Sequence, residues 1–212
     1  MAQRQLRTVL AEFLGSLREC RRLSADAYRW SLPGAQPHIS RIRRDNLTEM
    51  AFLRAYLAWE VFLEESFILY LAGQNAPRGR KPIRYAFPPN MAFAMQWVIP
   101  EGRSYAGWTI PIHITNRAER FFRNGRPFAA VLRSNQNSLD EARIIRNAIA
   151  HKSMSVRDKF ETLVRNKMGI LPPNLTVGSF LGTTTPGTAP PVSFLEAYLG
   201  NIDLAARQIV SV

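Results

Sequence analysis

Over residues 46–71 the chain offers almost no polar face. Leu53, Tyr56, Leu57, Trp59, Val61, Phe62, Leu63, Phe67, Ile68 and Leu69 surround a helical cylinder instead of striping it. A helix apolar on most sides has to be covered on most sides, by its own domain or by a partner subunit. Asn46-Leu47-Thr48-Glu49 reads as its N-terminal cap and Gly73 as its stop. The few charges inside such an element are informative. Glu49, Glu60 and Glu64 share one face, whereas Arg54 and Glu65 lie elsewhere. A carboxylate stripe on a covered helix needs cations; the other reading is that these glutamates face water.

The flanking segments are also helical in period. From about residue 3 to 30, Leu6, Val9, Leu10, Phe13, Leu17, Cys20 and Leu23 recur at three- and four-residue steps. Ser31-Leu32-Pro33-Gly34 and Pro37 end that helix and open a loop to about Asp45. Arg41, Arg43 and Arg44 cluster in this loop, either solvated or contacting phosphate.

Residues 76–137 read as a large irregular insertion, because Pro77, Pro82, Pro88, Pro89, Pro100 and Pro111 break any long helix. Short elements fit at 91–98 and 116–122, and His113 alternates with isoleucines as in a short strand. Cations interleave with aromatics here: Arg78, Arg80, Lys81, Arg84 and Tyr85, then Arg117, Arg120, Phe121, Phe122, Arg123 and Arg126. Such interleaving serves single-stranded RNA; alternatively the rings pack inside and the arginines solvate.

An amphipathic run then opens at Ser138-Leu139-Asp140-Glu141, a capping-box pattern, with Leu139, Ala142, Ile145 and Ile149 on one face. It ends in Arg146-Asn147-Ala148-Ile149-Ala150-His151. Ser155 caps a helix that stops near Gly169, residues 170–191 form a Pro/Gly/Thr-rich loop, and Ser193 opens a last helix. That loop has no Gly-Lys-Ser/Thr and so no phosphate-loop signature.

Lys plus Arg outnumber Asp plus Glu by 28 to 16, a net charge of +12, which favours a polyanionic partner and most simply RNA. Cys20 has no partner in the chain, so neither a disulfide framework nor a thiolate zinc site is available, and a reducing cytoplasm fits. His38 sits in a proline loop and His113 and His151 lack ligand spacing, so no metal and no cofactor is expected. Met1-Ala2-Gln3-Arg4 opens no signal peptide, and no apolar run approaches the ~20 residues a membrane span needs.

What remains for chemistry is the 146–151 run. Histidine moves protons near neutral pH, the arginine fork holds charge on phosphoryl oxygens, and the amide orients either. These suffice for attack by an RNA 2′-hydroxyl on its own phosphate. On an unbroken helix, however, Arg146 and His151 diverge by roughly 140°. Either the helix frays at His151 or a second copy supplies the missing group. The structural alternative is an arginine flank and a C-terminal histidine favoured by the helix dipole.

The Arg146-to-His151 run, with a polar residue after the arginine, resembles the Arg-x4-6-His motif of HEPN-domain ribonucleases. Ala55-Tyr56-Leu57-Ala58-Trp59-Glu60-Val61-Phe62-Leu63-Glu64, followed by an insertion and then the motif, is similar to bacterial HEPN proteins of the RiboL-PSP-like kind. The resemblance covers roughly 1–73 and 137–212. It implies one all-α domain over 1–212, a bundle of four to five helices that dimerises and places two motif copies in one cleft.

It further implies a metal-independent endoribonuclease leaving a 2′,3′-cyclic phosphate, a toxin or anti-phage defence effector restrained by an antitoxin or defence-complex partner. In that reading Arg146 stabilises the transition state, Asn147 positions it and His151 transfers protons. Glu60 is a candidate anchor for Arg146, and Arg143, Lys152, Arg120 and Arg123 are candidate RNA contacts. Two residues after the histidine stands Ser153, where some toxins of the family carry a tyrosine that antitoxins AMPylate, so that control is not implied here. The alternative function is a non-catalytic RNA-binding or assembly subunit.

Overall fold

The computed structural model describes residues 4–77, 81–102, 104–187 and 189–211. It is all-α: α1 (Leu6–Trp30), α2 (Arg41–Leu71), α3 (Met91–Val98), α4 (Pro111–Phe121), α5 (Phe128–Ser134), α6 (Gln136–Ala150), α7 (Met154–Met168), α8 (Val177–Gly182) and α9 (Phe194–Val210). A 3-10 turn at Arg123–Gly125 joins α4 to α5. Among the described residues the only β pairing is two isolated bridges, Arg84 with Phe122 and Thr184 with Ser193.

The chain divides into two compact units, Met1–Leu14, Ala58–Asp140 and Ile202–Val212 in the first, Gly15–Leu57 and Glu141–Asn201 in the second.

In the first unit the apolar α2 segment is enclosed by aromatic packing. Phe13 meets Trp59 and Phe62 at ring distances of 5.9 and 5.1 Å. Phe67 touches Trp108, Phe122 and Phe128 at 5.4, 5.1 and 5.0 Å. Residues 76–137, expected as an irregular insertion, thus build much of this core and hold α3, α4 and α5. Their prolines sit at helix starts and in connections, where a missing N–H costs nothing. Pro111 opens α4, whose buried Ile114, Thr115, Ala118 and Phe121 follow helical spacing, so the expected strand at His113 is overturned and that histidine is exposed on a helix. α2 ends as read, with Gly73 at φ +98° and the Arg84 guanidinium donating to the Leu71 carbonyl at 2.6 Å.

The second unit is built on α7, α8 and the adjoining parts of α1, α2, α6 and α9. Phe160, Phe180 and Phe194 form a ladder, the first pair edge-on at 5.7 Å and the second stacked at 4.4 Å. α2 begins five residues earlier than its expected cap at Asn46, because Ser40 caps it. The Ser40 carbonyl accepts the Arg44 N–H at 3.0 Å and its hydroxyl the Arg43 N–H at 3.4 Å. The arginine cluster is therefore helical. Arg44 pairs with buried Asp45 at 2.8 Å and lies over the Tyr28 ring at 4.8 Å.

Two further boundaries move. The 170–191 loop contains α8, started by a capping box between Thr176 and Ser179. Ser153, in extended geometry, precedes α7 where Ser155 was expected to. The Gly169 stop holds, with the glycine at φ +74°.

Candidate functional site

The site is built at the C-terminal end of α6. Ala142 and Ile145 are buried and fix the helix in the second unit's core. This helix starts at Gln136, so Ser138 lies inside it and is not its cap. Arg146 and Asn147 are half-buried, and His151 is exposed.

α6 ends at Ala150, and the His151 N–H still donates to the Asn147 carbonyl at 2.9 Å. The backbone N–H of residue 151 thus closes the last turn, and its side chain is exposed. The helix itself stops one residue before the histidine. Residues 151–153 then turn into α7.

Arg146 Nη1 donates to Asn147 Oδ1 at 3.2 Å, which orients the amide with a cation. The Arg146 Nε is buried with no hydrogen-bond partner among the described residues. A guanidinium held by one neighbour keeps donors for an incoming oxyanion.

His151 lines a cavity of about 640 Å³. Lys152 and Arg157 share its lining with Val156, Phe160, Leu171, Leu175 and Val177. Its acidic residues are Glu49 and Glu161. Glu161 is taken up by Arg157 at 2.8 Å and Arg165 at 3.6 Å. Glu49 Oε1 accepts the Gly178 N–H at 2.8 Å, and burial raises this carboxyl above its usual range. A second cavity of about 360 Å³ is lined by Arg143, Asn147, Lys159, Ile144 and Val156. Val156 lines both, so the two cavities flank one side chain of α7.

The structure therefore gathers Asn147, His151, Arg143 and Lys152 around two adjoining cavities, with Arg146 bonded to Asn147. Glu60 is half-buried and belongs to the first unit, whereas Arg146 belongs to the second. Arg120 and Arg123 are exposed, also in the first unit. Around them the interleaved aromatics divide: Phe121 and Phe122 are buried, while Tyr85 is 58% exposed. Arg78 and Arg80 lie outside the described residues.

Sequence reasoning missed Glu49 as a cavity residue, grouping it with Glu60 and Glu64. It also missed Arg157 and Lys159, whose i, i+2 spacing on α7 gave no signal. Among the described residues no group of three or more His, Cys, Asp or Glu is placed to hold a metal ion, and no helix is long and apolar enough to cross a membrane. Compared with protein-family models, with curated proteins and with solved structures, the chain matches none.

Proposed function

We propose that this protein is a metal-independent endoribonuclease of the HEPN type, working as a homodimer in the cytoplasm as a toxin or anti-phage effector that a partner protein restrains. The observation that carries this reading is the end of α6: an exposed His151 on a cation-rimmed cavity, one turn after an asparagine bonded to Arg146.

The chemistry needs little else. One imidazole takes the proton of the RNA 2′-hydroxyl, and the 2′-oxygen attacks the adjacent phosphorus. The bond from phosphorus to the 5′-oxygen breaks, and a second imidazole protonates the leaving oxygen. The products are a 2′,3′-cyclic phosphate and a 5′-hydroxyl. Arg146 meets the charge that gathers on the phosphoryl oxygens, where a bidentate guanidinium is worth more than a point charge. Asn147 holds that guanidinium in register. Each subunit has one His151, so the acid and the base come from two copies. The net charge of +12 draws RNA to the site.

The test is cleavage of mixed single-stranded and structured RNA in EDTA by wild type, Arg146→Ala and His151→Ala, with the ends mapped. Wild type should leave 2′,3′-cyclic phosphates, and both variants should lose cleavage while retaining RNA. Wild-type protein that holds RNA and cuts none of a wide panel would replace this reading by a non-catalytic RNA-binding subunit.

A further inference from the structure

Building on the ribonuclease reading, we propose that the cavity beside His151 receives the nucleobase next to the cleaved phosphate and that Glu49 selects guanine there.

The cavity has the size and character for a base. Its volume of about 640 Å³ lies inside the ~300–1,000 Å³ span of small-ligand sites. Val156, Phe160, Leu171, Leu175 and Val177 supply apolar walls. Phe160 is held from behind, edge-on to Phe180 at 5.7 Å. His151 and Lys152 line the same cavity and are exposed, which puts phosphate chemistry at its mouth and the base within.

Selectivity follows from the polar groups. Glu161 is occupied by Arg157 and Arg165, which leaves Glu49 as the lining carboxylate with no cation paired to it among the described residues. Glu49 is held in place: Oε1 accepts the Gly178 N–H at 2.8 Å, and Gly178 stands in α8, which its Thr176–Ser179 capping box orders. An ionised carboxylate accepts hydrogen bonds and donates none. Guanine alone among the four bases presents two adjacent donors, N1–H and the N2 amine, on its pairing edge. Adenine and cytosine set an acceptor beside their amine, and uracil flanks one N–H with two carbonyls. The carboxylate therefore pairs fully with guanine and is repelled by part of each other edge.

Binding tests this without reference to cleavage. The full-length protein is titrated with 3′-GMP and 3′-AMP by calorimetry. Wild type should bind 3′-GMP at least tenfold more tightly. In Glu49→Gln the preference should be lost, because the amide keeps an acceptor for Gly178 yet its donor–acceptor pair matches adenine's N1 and N6 as well as guanine's O6 and N1–H. Leu175→Trp, which fills the cavity and leaves the Glu49 carboxylate unsubstituted, should weaken both nucleotides, and circular dichroism verifies that each variant is folded. Equal affinities in wild type, no binding of either nucleotide, or an unchanged preference in folded Glu49→Gln would overturn the assignment. A guanine preference in a protein that cuts no RNA keeps the pocket and removes the nuclease. Cleavage by a protein with no base preference keeps the nuclease and removes the pocket.

Discussion

Gly178 lies so close to α2 that a Cβ built on it would stand 2.6 Å from the carbonyl carbon of Asp45. The same residue gives its N–H to Glu49, so one glycine fixes both the distance between α8 and α2 and the orientation of the cavity carboxylate.

Gly178→Ala should therefore be destabilising even though alanine is the better helix former. The obstacle is Asp45 backbone in the middle of hydrogen-bonded structure, which cannot swing aside as a flexible side chain would. Overpacking of this kind costs about 1–3 kcal/mol. For a chain of this size that is a fall in Tm of roughly 2–12 °C, read by thermal unfolding. An unchanged Tm would mean that α8 is free to move away from Asp45.

That approach marks the limit of what periodicity carries. The long helices were legible because their apolar spacing repeats over many turns, and α3 because Met91 to Val98 is bounded by prolines. The shorter elements were obscured by local signals with two meanings. Pro111 was read as a breaker and serves as a first helical residue, while Ile110, Ile112 and Ile114 alternate like a strand inside a helical repeat. Ser138, Ser155 and Asn46 are good caps that the chain does not use, because Gln136, Met154 and Arg41 already start the turns before them. At the site, the Arg146, Asn147 and His151 grouping came from six consecutive residues. Glu49 is about a hundred positions away in sequence, and only its Gly178 contact reveals it.

If acid and base come from two copies of His151, catalysis is not divisible by subunit. A heterodimer of wild type with His151→Ala, isolated through two different tags, should have far less than half the activity of the wild-type dimer. Loss of one general acid or base usually costs ~10²–10⁴-fold. Half activity in the heterodimer would assign both proton transfers to one protomer. Arg146→Lys in the same assay should stay close to Arg146→Ala, since an ammonium cannot reproduce the fork held by Asn147.

Lys152 is exposed at the main cavity and Arg143 half-buried at the smaller one, so both are placed to neutralise phosphates. Each should contribute to the salt dependence of RNA binding. Replacing either with Gln should lower the slope of log K against log[salt] by about 0.7, the value expected per phosphate on a single strand. The binding loss should be similar for unrelated RNA sequences, because phosphate contacts carry no base information. A slope that does not change in either variant would place the RNA elsewhere.

Glu49 also leaves a trace in stability against pH. Burial, chiefly, and the nearby Asp45 charge raise its carboxyl above the ordinary 4.5, against the lowering effect of the Gly178 N–H. The folded protein therefore holds this proton more tightly than the unfolded chain does. As pH rises from 4.5 through the folded value, the unfolded state ionises first and wild type loses stability relative to a form that cannot ionise there. Glu49→Gln is such a form and keeps the acceptor for Gly178. The Tm of Glu49→Gln minus that of wild type should grow as pH is raised from about 4 to 7, measured by thermal scans in matched buffers. A difference that is constant across that range would mean that the carboxyl is well solvated.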